Sequence, residues 1–282
     1  QAACEDVGRR ERVALAVAAD RLRKDAVGSG REAAAEAADE EVGRDQGRLE
    51  DDVEEEHVGG QEDRQRERLE GQGPGHERRR GALGAAVEVD AILITHGHGD
   101  HIADVFTAHE RCSGPIVGIF DLTTWLGIKG VPEEKLVGMN KGGTIALDGL
   151  DVTVHMTNAH HSSSFNDDGQ IVYLGEPAGF VLTFSNGKKF YIAGDTCLFG
   201  DMALIGQIEQ PDVAILPIGD HFTMGPLHAA HACRLLDVAH VIPCHYGTFG
   251  LLTGTPEKFS EEISKLELST EVHTLEAGKT AG

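Results

Sequence analysis

Residues 91–101, AILITHGHGDH, place three histidines and an aspartate within six positions, directly after a short apolar run. The run Ala91 to Thr95 reads as a buried strand, and a strand must end where glycine alternates with histidine and aspartate. His96 and His98 are two residues apart, so an extended backbone sends both imidazoles to one side. Gly97 and Gly99 let the main chain curl closely around whatever those rings hold, and Asp100 and His101 arrive from the far side of the curl. Three imidazoles and a carboxylate suit zinc or a similar divalent ion, and their crowding favours two ions over one. A histidine-rich surface loop is the plain alternative. The ordered spacing, between a strand and a helix, weighs against it.

The chain is long enough, at 282 residues, for one large domain or two small ones. Its formal charge of −22 disfavours nucleic acid and an anionic membrane face as partners, since both need a basic footprint. No apolar run can span a bilayer and the first residues lack the apolar core of a signal peptide, so a cytoplasmic protein acting on a small-molecule substrate is expected, with homo-oligomerisation left open. Five cysteines (Cys4, Cys112, Cys197, Cys233, Cys244) form an odd, scattered set without a CxxC pair, which suggests neither a disulfide framework nor a cysteine zinc site.

Residues 1–88 read as a different kind of text. They contain no Phe, Trp, Tyr, Ile, Met, Asn or Thr, and Lys24 is the only lysine among 15 basic residues, whereas the rest of the chain has 8 Lys and 2 Arg. Two parts are therefore expected: a charged low-complexity segment 1–88 that cannot bury enough apolar surface to offset its chain entropy, and a folded domain 89–282. In that domain the pattern predicts a helix over 102–111, a strand over 115–120 and a second helix capped by Asp121. Strands follow over 143–147 and 152–157, then a polar loop over 158–170. A hairpin over 179–193 turns at Ser185-Asn186-Gly187. Helices over 201–208, 227–236 and 256–266 then alternate with strands over 213–216, 240–243 and 271–275.

His96-Gly97-His98-Gly99-Asp100-His101 resembles the HxHxDH signature of the metallo-β-lactamase superfamily. The blocks His161-Ser162-Ser163-Ser164, Gly175-Glu176-Pro177-Ala178-Gly179, Ala193-Gly194-Asp195-Thr196, Pro217-Ile218-Gly219-Asp220 and His245-Tyr246-Gly247-Thr248-Phe249 resemble, in order, those of its UlaG-like branch of lactonases and uncharacterised metal-dependent hydrolases. The resemblance implies an α+β fold, the αββα sandwich, with the site on loops along one edge. It also implies opening strands with a Gly-His-Ser and an Asp-Pro turn. Neither turn is found, so the expectation is a domain lacking its first strands, with residues 1–88 an out-of-frame or misassigned translation in their place.

By the same resemblance, His96, His98 and His161 hold one ion, Asp100, His101 and His245 a second, and Asp195 bridges them. The ions are expected to be zinc, with manganese as the alternative, and a hydroxide between them attacks a small ester, lactone or amide. A phosphodiesterase with the same centre and a non-catalytic metal-binding protein are the alternatives. Adjacent side chains in an extended loop point apart, so only one of His160 and His161 should bind metal, and the family pattern selects His161. His221 is a candidate proton donor to a leaving group, beside the candidate catalytic residues Asp100 and Asp195, and Asp220 is a candidate for orienting a liganding imidazole. Ser162 to Ser164 read as loop hydrogen-bonders, His228 and His231 as helix-surface residues, and Cys197 and Cys244 as packed inward.

Overall fold

The computed structural model describes residues 89–248 and 250–275; the expectations for residues 1–88 lie outside this range. The first strand, β1 (Ile92–Leu93), ends just before the histidine motif. The expected single helix over 102–111 is instead three short pieces, and it starts earlier: α1 (Gly99–Ile102), α2 (Val105–Ala108) and a 3-10 turn (His109–Arg111). The chain turns at Ala103 and Asp104 so that Ile102 and Val105 can both reach the core. Next come β2 (Ile116–Ile119), α3 (Phe120–Ile128) and β3 (Leu136–Met139), a strand that sequence patterning missed. Asp121 lies inside the first turn of α3, whose cap position is Ile119. Strands β1, β2 and β3 pair in parallel in that order, joined by helical crossovers.

A second sheet has seven strands. It contains β4 (Thr144–Ala146), β5 (Val152–Asn158), β8 (Ala178–Phe184), β9 (Lys189–Ile192), β10 (Val213–Pro217), β11 (His240–Cys244) and β12 (Glu271–Val272). Their order is β12-β11-β10-β9-β8-β5-β4, antiparallel from β4 to β9 and parallel from β9 to β12. The expected loop over 158–170 is wrong beyond Ser163. It contains β6 (Ser164–Asp167), which pairs with β7 (Gln170–Tyr173) around Asp168 and Gly169, both at positive φ. An Asp-Gly pair supplies the two left-handed residues that a tight hairpin needs, and it was present in the sequence as a signal.

Alternation along the strands sets the layers. In β8, Phe180 and Leu182 share a core with Ile92, Ile116 and Met156, between the two sheets, while Val181 faces a separate core with Tyr191, Ala214 and Leu216. The first core also takes Leu122, Trp125 and Leu126 from α3. The second is closed by α4 (Met202–Glu209), α5 (Pro226–Leu236) and α6 (Pro256–Lys265), through Met202, Ala229, Cys233, Leu236, Phe259 and Ile263. Helix, sheet, sheet and helix layers result, as the resemblance implied. Proline at the first position opens both α5 and α6, and the Thr255 hydroxyl accepts the Lys258 N–H at the start of α6.

Candidate metal centre

The proposed ligands arrive from the carboxyl ends of four strands along one edge: His96, His98, Asp100 and His101 after β1, His161 after β5, Asp195 after β9 and His245 after β11. Strand ends are where side chains can converge without leaving ladder groups unpaired. The donor atoms form two groups, His96, His98 and His161 in one and Asp100, His101, Asp195 and His245 in the other, each within 4.8 Å. Asp195 joins them. Its Oδ2 lies 3.9 Å from His96 Nε2 and 3.7 Å from His161 Nε2, but also 3.3 Å from His101 Nε2 and 3.2 Å from His245 Nε2. Asp100 Oδ2 stands 3.5 Å from His101 Nε2 and 3.8 Å from His245 Nε2.

Surrounding bonds fix which ring nitrogen faces the centre. His96 Nδ1 bonds the Thr95 hydroxyl at 3.1 Å, leaving Nε2 inward, 3.0 Å from His98 Nδ1. The other nitrogen of His98 meets the Ser162 hydroxyl at 3.1 Å. The Ser163 hydroxyl accepts the Gly97 N–H at 3.0 Å, tying the two ligand loops together. The serines thus work as loop hydrogen-bonders. His161 is in the cluster, whereas His160 turns away, bonded to Asn158 and stacked at 4.7 Å on Phe199.

Electrostatics split the two groups. Burial, reinforced by the imidazole of His101, pushes His96 down to about 2, and burial likewise lowers His98 and His161. Burial thus favours the neutral form of all three rings, the form that can bind a cation. Burial would also lower His101, but the carboxylates of Asp100 and Asp195 outweigh it and raise it to about 9; His245 is raised by the same two carboxylates against its own burial. Burial works to raise Asp100 and Asp195, yet His101 and His245 hold both below the usual carboxylate range. Even so, His101 Nε2 is buried without an aligned hydrogen-bond partner, as is His245 Nδ1. A divalent cation gives the His101 nitrogen the partner it lacks and offsets the paired carboxylates, so the donor set fits such an ion.

Other candidates fall elsewhere. His221 is exposed at φ 58 on the loop after β10, edge-on to Phe222 at 4.4 Å, and is not among the clustered donors. Asp220 does not orient an imidazole; its carboxylate accepts a long bond, 3.4 Å, from the Thr253 hydroxyl. His228 is exposed on α5, and His231 meets Arg234 there. Cys197 is exposed, contrary to expectation, because its N–H bonds back to His160 O and the preceding Thr196 takes the interior. Cys244 is half-buried. Gly219 was not singled out, yet a Cβ there would lie 2.1 Å from His245 O, so only glycine lets the loop after β10 pass the ligand's backbone. His245 itself sits at φ 52, a left-handed conformation held by this packing.

The family model described as a β-lactamase superfamily domain matches residues 67–246. A UPF0173 metal-dependent hydrolase of Herpetosiphon aurantiacus is 49% identical over 191 residues, covering 68% of this chain and 78% of that protein. One from Methanopyrus kandleri is 43% identical over 194 residues, covering 69% and 82%. Among solved structures, Igni18, a metallo hydrolase from Ignicoccus hospitalis, aligns with a TM-score of 0.61 at 34% identity, over 69% of this chain and 79% of that one.

Proposed function

The chain belongs to the metallo-β-lactamase superfamily and is a metal-dependent hydrolase, and from that premise we propose a dinuclear centre that hydrolyses a small ester, lactone or amide. The observation that carries the dinuclear reading is Asp195, whose single oxygen lies within 3.9 Å of imidazole nitrogens from both donor groups. His96, His98 and His161 would hold one ion, Asp100, His101 and His245 the other, and Asp195 would bridge. The imidazole-rich set favours zinc, and two carboxylates admit manganese. Such ions lower the pKa of water toward about 7 and polarise a carbonyl, which supplies the hydrolytic chemistry.

The chain's own residues prepare the site. Thr95 and Ser162 orient His96 and His98, and Ser163 holds the Gly97 backbone against the second ligand loop. Asp195 is almost wholly buried, at 5% exposure, so its charge acts where water screens little. Asp100 is exposed enough to meet an incoming group. We assign His221, exposed on the loop after β10, to proton donation toward a leaving group. Among the described residues no helix is long and apolar enough to cross a membrane.

The test is elemental analysis of purified protein together with a panel of lactones, esters, amides and phosphodiesters. Two ions per chain that disappear when His96, His161, His101 and His245 are together replaced by alanine, with turnover of an ester, lactone or amide, supports the reading. Loss of only one ion in that variant would remove the dinuclear centre, and turnover of phosphodiesters alone would replace the substrate class.

A further inference from the structure

A third set of donors lies away from this centre: His240 at the start of β11, Glu271 at the start of β12 and His273 just beyond it. Parallel pairing sets His240 directly beside Glu271, and His273, two residues on in the same extended run, comes back to the same face. The backbone holds this register through Glu271 N–H to Ala239 O and His273 N–H to Val241 O, both at 2.8 Å. His240 Nδ1 and His273 Nε2 are 3.0 Å apart, and Glu271 Oε2 is 3.6 Å from the first and 3.9 Å from the second.

We propose that His240, Glu271 and His273 form a separate zinc site that fastens the edge strand β12 to β11. Two donors bound tetrahedrally to one zinc at about 2.0–2.1 Å stand about 3.3 Å from each other. The three observed separations bracket that value, so the donors need only small side-chain shifts to share one ion. Two imidazoles and one carboxylate select zinc over calcium or magnesium, which take oxygen shells. All three side chains are partly open to solvent, which gives the ion a path of entry and a water in the fourth position. The site is independent of the hydrolytic centre, because His240 opens β11 and His245 follows its far end, five residues on and about 16 Å away at strand rise.

An edge strand of two residues has little of its own to hold it, and an ion bound only in the folded state adds stability that grows with the logarithm of its free concentration over Kd. The experiment compares the full chain with His240→Gln/His273→Gln and, separately, Glu271→Gln, each equilibrated with buffered zinc alone. Zinc per chain is read by mass spectrometry and amide exchange is followed at Glu271 and His273, the two amides bonded to Ala239 O and Val241 O. The double variant should bind one zinc fewer per chain and lose the zinc-dependent slowing of exchange in β12, while Glu271→Gln, which removes a charged ligand, should weaken that equivalent by more than the roughly tenfold lost when a group merely supporting a ligand is removed. Equal zinc content in the parent and the double variant would overturn the proposal. So would half an ion per chain, which would mean sharing between two copies, or β12 exchange indifferent to zinc. The substituted side chains are at the surface, and unchanged circular dichroism checks that the variants fold.

Discussion

At the scale of single residues, the two donor groups ask different things of a substitution. His96 is fully buried and neutral, so His96→Ala removes a ligand and opens a hole beneath the centre; His161, half-buried on a loop, can be removed with less damage. Both variants should lose at least one bound ion by elemental analysis, and in chelator-treated protein His161→Ala should lower the unfolding midpoint less than His96→Ala does. Retention of full stoichiometry in both would refute their assignment. Asp195 separates folding from turnover more sharply. Asp195→Asn keeps the shape and loses the shared charge, and steady-state kinetics on whichever substrate the panel yields should show kcat lowered by about two orders of magnitude or more. An Asp195→Asn enzyme of parental activity would end the bridging role.

At the scale of elements, the centre depends on how closely loops pass one another. Gly219→Ala would force a Cβ into His245 O, and because the Cβ is fixed to one backbone and the oxygen belongs to the other, the loop after β10 must move. The expected cost is at least about 1 kcal/mol of stability in urea unfolding, accompanied by weaker metal binding, since His245 shifts with its carbonyl. A variant as stable and as fully loaded as the parent would show that the loop has slack. The same scale explains what the sequence made legible. Ligands such as His96, Asp195 and His245 stand directly after apolar strands, and local pattern with family resemblance sufficed to find them. Strand β3 was missed because its Leu-Val-Gly-Met carries no alternation, and the β6–β7 hairpin was missed because polar composition outweighed its Asp168-Gly169 turn. The helix after the motif breaks in response to packing, not propensity. His240, Glu271 and His273 could not be grouped from sequence at all, since their meeting depends on the register of β12 against β11.

At the scale of the whole molecule, the buried charges predict how stability follows pH in the metal-free protein. His101 has a folded pKa raised to about 9 from an ordinary 6.5, so its contribution is fully present below about pH 6.5 and is lost as pH rises through about 9. His245, also raised, acts in the same direction. His96, His98 and His161 are lowered, so their contribution is present above about pH 6.5 and is lost as pH falls, because the unfolded chain takes up protons that the buried rings refuse. Stability of the chelator-treated protein should therefore peak near pH 6.5 and decline on both sides. A bound ion replaces the proton on His101, which removes the alkaline decline and makes loading release protons below about pH 9. Urea unfolding at pH 5, 6.5 and 9, with and without metal, measures this, and calorimetry in two buffers of different ionisation enthalpy counts the protons. Because a chain of formal charge −22 also repels itself as pH rises, the metal-free His101→Gln variant is the control. It should lose less stability between pH 6.5 and 9 than the parent. If parent and variant decline equally, His101 is not the group responsible, and the imidazolium held between Asp100 and Asp195 must be abandoned.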